Sequence, residues 1–542
     1  MSQLPARPQT GLAGLIENWR HDLLAGFLVF LVALPLCLGI AMASGFPPMA
    51  GIVSAVVGGL LVSRINGSHV TITGPAAGLI VVILAAVQSL GAGDAVAGYR
   101  RTLAAIVLAG LLQTLLGYYK AGRLSAFFPV AVVRGMLAAI GIIIMAKQIH
   151  VMLGVRTDTG TLLQTIALIP ASLSHFNPQI ALIGAVGLGI MVGWRYVTHP
   201  LLRQAPAPLV VVVSGLVLGQ VYDLDHHREF FSIPPHIYTL GPEYLLPITG
   251  GFADNVHFPD FSAFWTLKFW GAVIGITLVG SLESLLSSTA VDKLDPWRRQ
   301  SDLNRDLGAV GIGNTLAGLL GGLPMIAEIV RSSAAVEHGA RTGWANFFHG
   351  ALLLLFVALF PAILKEIPLA SLSALLVYTG YRLASPKEFA RVLDVGWQQL
   401  AVFVVTIISI LATDLLSGVL IGIAAKLLLS VLSGADLGQL FRIAYAIQPT
   451  APDVFHVTVR GAALFSNIVA LKTELAALPS GGVIVFDLSE TNLIDHSVME
   501  FIDQFCRDYQ DNGGRCEIRG LDNHAAASEH PLAARSRSVA AP

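Results

Sequence analysis

Apolar residues run through the chain in long blocks as far as Ser433, broken by short polar or charged stretches. A helix needs ~20 mostly apolar residues to cross a bilayer, and Leu23–Met42 is such a block. The pattern predicts fourteen helices, at 22–44, 48–64, 75–90, 99–119, 126–150, 178–195, 207–221, 265–288, 303–321, 327–338, 345–364, 369–384, 397–413 and 415–432. The third, tenth and twelfth are short. After Ser433 the pattern changes. Phe455, Val457 and Val459 alternate as a strand, and Gly482–Asp487 reads as a buried strand. Asp495 then caps a helix with Val498, Phe501, Ile502 and Phe505 on one face, and Glu517–Arg519 is another short strand. Two domains follow: 1–435, all-α and polytopic in a membrane, and 448–535, small and α/β, joined by Gly434–Thr450.

Composition agrees. The chain is 54% hydrophobic and 12% charged, about half the charge of a soluble domain. A net charge of −1 gives no footing for nucleic acid. Met1–His21 is polar and fits no secretory signal. Cys37, Cys506 and Cys516 fit neither a metal site nor a disulfide framework and read as three free thiols.

Loop charges set the orientation. Even-numbered loops carry Arg64; Lys120 and Arg123; Arg195 and Arg203; Lys293, Arg298, Arg299 and Arg305; Arg341; and Arg382, Lys387 and Arg391. The long loop after the seventh helix holds Asp223, Asp225, Glu229, Glu243, Asp254 and Asp260 against Arg228. Positive residues stay inside, so both termini are expected in the cytoplasm, with the chain in the cytoplasmic (inner) membrane. Arg100 and Arg101 run against this pattern.

The acidic loop divides the membrane part into seven helices and seven helices. An odd number per half inverts the second half relative to the first, as in many secondary transporters. The halves match at Gly67-Ser-His-Val-Thr-Ile-Thr-Gly-Pro75 and Gly321-Gly-Leu-Pro324. Proline suits the first turn of a helix, so Pro75 and Pro324 read as helix starts, with Val70–Thr73 extended before Pro75. Two helix N-termini then meet at membrane depth, each with free N–H groups that favour an anion. Gly74, Ala76, Ala77 and Gly78 keep that pocket small.

Glu283, Glu328 and Arg331 lie in apolar surroundings. A charge at a helix centre costs roughly 2.5–3.5 kcal/mol or more, which makes each a functional candidate. Glu328 and Arg331, three apart, share a helix face. Arg331 balances a bound anion; Glu328 pairs with it or carries a proton. Glu283 and Ser287, one turn apart, suit a Na⁺ or a proton. A structural Glu–Arg pair is the competing reading.

The segments His21-Asp-Leu-Leu-Ala-Gly26, Ala33-Leu-Pro-Leu-Cys-Leu-Gly39, Phe128-Pro-Val-Ala-Val-Val-Arg-Gly-Met-Leu-Ala-Ala-Ile-Gly141, Gly280-Ser-Leu-Glu-Ser-Leu-Leu-Ser287, Asp302-Leu-Asn-Arg-Asp-Leu307 and Gly311-Ile-Gly-Asn314 resemble, in this order, the SulP anion transporters, relatives of pendrin and prestin. The resemblance implies two inverted seven-helix repeats, arranged as a core (helices 1–4 and 8–11) and a gate (5–7 and 12–14). It also implies an elevator-like shift and a homodimer in the lipid bilayer. Carried over by motif, the anion meets Thr73, Gly74, Pro75, Ala76 and Ala77 on the third helix and Ala327, Glu328, Ile329 and Arg331 on the tenth, with Leu36 and Ile40 lining the site. Glu283 and Ser287 match the cation position of sodium-coupled members. Glu328 stands where relatives often have a small or hydroxyl residue, which favours coupling to a cation or proton. Gly45-Phe-Pro-Pro-Met-Ala-Gly51 lacks the tyrosine of the sulfate-transporter pattern. Leu34–Ile40 and Gly322–Ser332 look like the branch linked to carbonic anhydrases, which ranks bicarbonate above sulfate.

The C-terminal part resembles a STAS domain. Asp495-His-Ser497 matches the segment that holds the phosphorylatable serine of soluble relatives, and a helix start favours phosphate at Ser497. An unmodified serine is the plainer reading. The domain shows no catalytic constellation, so assembly, trafficking or a cytoplasmic partner is expected of it. The function expected is coupled uptake of a small inorganic anion, bicarbonate with Na⁺ or H⁺, and no cofactor. Sulfate or dicarboxylate symport with H⁺, anion exchange, or a membrane anion sensor remain as alternatives. His338 and His349, standing apart, give an intramembrane enzyme little support.

Overall fold

A computed structural model describes residues 7–537 except 123–127, 156–161, 200–204, 233–235, 249–256 and the single residues 452, 476, 480 and 512. Arg123, Arg203 and Asp254 of the loop-charge argument lie outside the described residues.

The helices of seven or more residues, in chain order, are α1 (Gly11–Ala43), α2 (Pro48–Val57, continued in a π-turn and one α-turn to Ile65), α3 (Ile80–Gly91), α4 (Ala95–Tyr118), α5 (Val130–Met152), α6 (Pro178–Gly193), α7 (Ala207–Val221), α8 (Leu267–Leu294), α9 (Leu303–Leu319), α10 (Ile329–Glu337), α11 (Trp344–Leu359), α12 (Leu369–Leu383), α13 (Pro386–Val395), α14 (Trp397–Ala412), α15 (Leu415–Leu432), α16 (Val469–Leu475) and α17 (His496–Asp511). Two shorter helices, Leu162–Ala167 and Ile169–Ser174, lie between α5 and α6. The strands are β1 (Thr73–Pro75), β2 (Arg228–Ser232), β3 (His236–Leu240), β4 (Met325–Ala327), β5 (Ala444–Ala451), β6 (Val454–Ala463), β7 (Val483–Ile494), β8 (Arg515–Arg519), β9 (His524–Ala526) and β10 (Arg535–Arg537).

Each predicted membrane segment holds a helix. Among the described residues, seven helices are long and apolar enough to cross a membrane by length and composition alone. The starts are chemically marked. Asp94 accepts from the N–H groups of Val96 and Ala97 at α4, and Asp302 does the same for Asn304 and Arg305 at α9. Each satisfies donors that a helix start leaves orphaned. Several boundaries differ from expectation, two of them at α1 and α11. α1 begins at Gly11 inside the polar N-terminal stretch, where Leu12, Ile16 and Trp19 are exposed on it. Pro361 divides the predicted 345–364 segment, so α11 ends at Leu359 and a short helix, Pro361–Lys365, follows.

The chain forms two compact units, Met1–Gly122 with Ile140–Arg382, and Arg123–Ala139 with Leu383–Pro542. In the first, Leu34, Cys37, Leu38, Ile52, Leu353 and Leu372 belong to one apolar core. α4 and α9 cross closely: a Cβ on Gly311 would lie 2.4 Å from the Thr114 nitrogen, and one on Gly110 2.4 Å from that of Thr315. Small residues at such a crossing let two backbones meet without a solvent-driven hydrophobic force.

In the second unit, β5, β6, β7, β10 and β9 lie in that order, with β8 parallel to β7. The predicted strands fall on β6, β7 and β8, with Gly482 one residue ahead of β7. Val457, Val459, Ile484 and Phe486 pack with Val498, Ile502 and Cys506 of α17. α13, an amphipathic helix, had no predicted counterpart. The expectation of three free thiols is corrected: Cys506 and Cys516 are disulfide-bonded with Cα atoms 5.2 Å apart, and Cys37 is free. Their spacing carried no signal because the pairing depends on β8 returning beside α17.

Candidate functional site

The two Gly/Pro interruptions meet as a two-stranded antiparallel ladder. Thr73 pairs with Ala327, Gly74 with Ile326 and Pro75 with Met325. Pro75 and Pro324 are therefore not helix starts. Pro75 closes β1 and Pro324 precedes β4, while the helical turns begin at Ala77 and Ile329. Each proline restrains the residue before it to extended backbone, and that favours a strand here.

Side chains fill the donors and acceptors that so short a ladder leaves open. The Ile72 N–H donates to Ser332 Oγ at 2.9 Å and the Glu328 N–H to Ile72 O at 2.8 Å. The Ala327 N–H donates to Ser284 Oγ at 3.2 Å, and the Met325 N–H to Asn314 Oδ1 at 2.6 Å. Asn346 Nδ2 donates to Thr73 Oγ1 at 2.9 Å. Irregular backbone is tolerated at membrane depth only where such partners surround it. No side chain caps the turn at Ala77 or the start of α10. Their first-turn N–H groups keep the anion-favouring character of a helix start.

Arg331, at the third position of α10, is 1% exposed. Its Nη2 donates to Pro75 O at 3.2 Å, while Nε and Nη1 are buried with no partner. Nη1 lies over Gly74, where a Cβ would be 2.3 Å away. Glu283 is 6% exposed and both carboxylate oxygens lack a partner. That carboxylate lies against Gly78, and Ser287, also buried, follows one turn on along α8. A guanidinium with two unsatisfied nitrogens and a carboxylate with two unsatisfied oxygens thus stand at two glycines four residues apart. Leaving buried charges without partners costs several kcal/mol, a cost that a bound anion and cation would relieve.

Other predicted residues are placed less tightly. Thr73, Ala76 and Ala327 are buried, and Ala77 is half-buried. Glu328 is half-buried as the residue before α10, and Ile329 is 41% exposed. No hydrogen bond or ion pair joins Glu328 to Arg331 among the described residues. From α1, Ile40 is buried and Leu36 packs against the apolar core. In the other unit, Ser497 is half-buried near the start of α17. Its neighbour Asp495 accepts from the N–H groups of Val498 and Phe465, and Lys426 Nζ lies 3.9 Å from its Oδ2.

Sequence reasoning missed Asn346, Ser284 and Ser332, which hold the ladder, and set aside His349, which is fully buried with neither ring nitrogen partnered. Their one available signal was polarity inside apolar runs.

A mostly helical membrane-type chain that returns twice to a buried, charged, partly extended centre defines an integral-membrane transporter. Residues 19–408 match the Sulfate permease family, and the chain belongs to it. The family consists of membrane anion transporters, not enzymes. The chain is 27% identical over 421 residues to YvdB of Bacillus subtilis, covering 77% of this chain and 73% of that protein. It is 25% identical over 419 residues to the bicarbonate transporter BicA of Picosynechococcus sp., covering 77% and 70%. The solved structure of SLC26A9 superposes with a TM-score of 0.65 at 15% identity, over 93% of this chain and 84% of that one.

Proposed function

We propose that the protein is a secondary active carrier of a small inorganic anion, bicarbonate, taken up with Na⁺ or H⁺ by an elevator-type movement. The observation that carries this reading is the pair of buried ionisable groups with unsatisfied polar atoms at the ladder, Arg331 over Gly74 and Glu283 against Gly78. The anion lies between the first turns after β1 and β4, met by Thr73, Gly74, Ala76 and Ala327 and balanced by Arg331. The cation or proton sits at Glu283 with Ser287. Glu328, half-buried and beside the anion, strengthens the demand for a positive co-substrate. A Na⁺ needs oxygen ligands, and the free Glu283 oxygens suit it. The relation to BicA supports bicarbonate as the anion.

The fuller reading has fourteen spans in two inverted repeats over 1–435, a STAS domain over 448–535, both termini in the cytoplasm, an inner-membrane location and a homodimer. Ser497 is its regulatory position. The family description favours sulfate as a second reading of the substrate, and proton symport or anion exchange is the mode proposed for it. Uptake of labelled bicarbonate and sulfate into proteoliposomes under imposed Na⁺ or H⁺ gradients separates the two. Bicarbonate accumulation driven by one cation gradient, and lost with it in Glu283→Gln, is the expected result. Bicarbonate flux indifferent to both gradients refutes the coupling.

A further inference from the structure

A second cluster of anion-seeking groups lies in the other compact unit. A small cleft there is lined by Val130, Ala131 and Arg134 of α5, Val392 and Val395 of α13, Gln399 of α14 and His496 of α17. Three helix starts converge on it. Val130 and Ala131 open α5, Gln399 is the third residue of α14, and His496 is the first of α17. All three helices are sixteen residues or longer, so each presents a full partial positive charge at that end.

The side chains point to the same ligand. Gln399 is 4% exposed and its Nε2 is buried without a hydrogen-bond partner. A native buried donor left in that state costs ~1–3 kcal/mol and calls for a group to accept from it. Arg134, half-buried, brings a full positive charge. His496 is oriented by a 2.7 Å contact from Nδ1 to Leu532 O, which leaves Nε2 as its second polar atom.

Neighbouring acceptors are already engaged, apart from the carboxylate of Asp394, whose side chain is exposed. Ser528 Oγ contacts the carbonyls of Asp394 and Val395, at the C-terminal end of α13, at 2.9 Å each. The Asp495 carboxylate, at the start of α17, accepts two backbone N–H groups and faces Lys426. What remains open to the cleft is donor-rich, and its apolar walls of valine and alanine leave room for little more than a small ion.

We propose that this cleft is a second binding site, for one small inorganic anion such as chloride or bicarbonate, distinct from the ladder. The anion accepts from Arg134 and Gln399 and sits at the starts of α5 and α14. Its occupancy ties α5, α13, α14 and α17 together within this unit.

The test is an anion titration of thermal unfolding on the purified full-length chain. Chloride or bicarbonate replaces gluconate at constant ionic strength, in an Arg331→Gln background that disables the ladder site. A saturable rise in melting temperature is expected to persist in that background. Arg134→Gln should raise the half-saturating anion concentration at least tenfold, Gln399→Leu several-fold, and Arg134→Lys should keep most of the response. The melting temperature in gluconate reports whether each variant folds. If Arg134→Gln folds poorly, the Gln399→Leu and Arg134→Lys titrations decide. Loss of every anion-dependent shift in Arg331→Gln alone, or titrations unchanged by the Arg134 and Gln399 variants, overturns the proposal. The readout is binding rather than flux, so it stands or falls apart from the transport reading.

Discussion

The Glu283 carboxylate occupies the space in which a side chain on Gly78 would begin: a Cβ built there falls 1.6 Å from Oε1. The carboxylate is thereby held to the backbone turn between β1 and α3, on the same short stretch of chain that carries the Arg331 contact at Gly74.

Gly78→Ala is therefore expected to push the carboxylate away while leaving the ladder paired. The half-saturating concentration of the coupling cation should rise ~10-fold, the loss of roughly one good charged contact. Anion affinity measured at saturating cation should change little. Cation-dependence curves for uptake by the wild-type protein and the variant check this, and superimposable curves refute it.

On the other side of the ladder, Gly74→Ala places a methyl 2.3 Å from Arg331 Nη1. Arg331→Gln removes the charge outright. Both should weaken anion binding, Arg331→Gln by ~10–100-fold, in line with about 1.5–3 kcal/mol for a charge-assisted contact. Arg331→Lys should recover only part, because a point charge cannot both reach Pro75 O and keep a planar donor edge free. Equilibrium binding of labelled anion in detergent reads the order wild type, Lys, Gln.

Asn346 donates to Thr73 Oγ1 from α11. Asn346→Leu strands that hydroxyl in a fully buried place. A loss of about 1–3 kcal/mol in stability is expected, seen as a melting temperature lower by several degrees. Anion affinity should fall with it, because β1 loses its lateral support. An unchanged melting temperature would mean the bond carries nothing.

Lys426 and Asp495 are both nearly inaccessible, with side chains 7% and 2% exposed. Removing one partner of a buried pair is costly, on the order of 3 kcal/mol. Lys426→Met should destabilise the chain clearly, and adding Asp495→Asn should restore part of the loss. Additive losses in the double variant would show that the two side chains act independently.

Much of this organisation was legible in the chain. Each of the fourteen apolar runs picked out by pattern holds a helix, since a segment in lipid must satisfy its backbone internally, while the apolar helical stretch Leu162–Ser174 was not anticipated. The paired Gly/Pro interruptions pointed to the two segments that meet as the ladder, and the rarity of charge in apolar runs drew attention to Glu283 and Arg331, which are both buried. What the pattern did not disclose depends on partners remote in sequence. The ladder between Thr73–Pro75 and Met325–Ala327 is a tertiary event, so Pro75 read locally as a helix start although it ends a strand. Glu328 and Arg331 share a helical spacing, yet Glu328 has non-helical backbone as the cap residue, at φ −105° and ψ 113°. That breaks the expected side-by-side geometry. α13 escaped because a short amphipathic helix in a charged stretch looks like a loop to a hydropathy reading. The Cys506–Cys516 bond needed the sheet to exist first.

The β1–β4 ladder has a consequence for which parts of this centre can vary. Strands joined by backbone hydrogen bonds lie roughly 4.7–4.9 Å apart, and that spacing does not depend on which side chains happen to line the neighbourhood. Because the two strands run antiparallel, the helix starts that follow them leave from opposite ends of the ladder, like two arms bolted to one bar. Substitutions around the bar can alter charge and packing, while the bar itself is gauged by main-chain geometry.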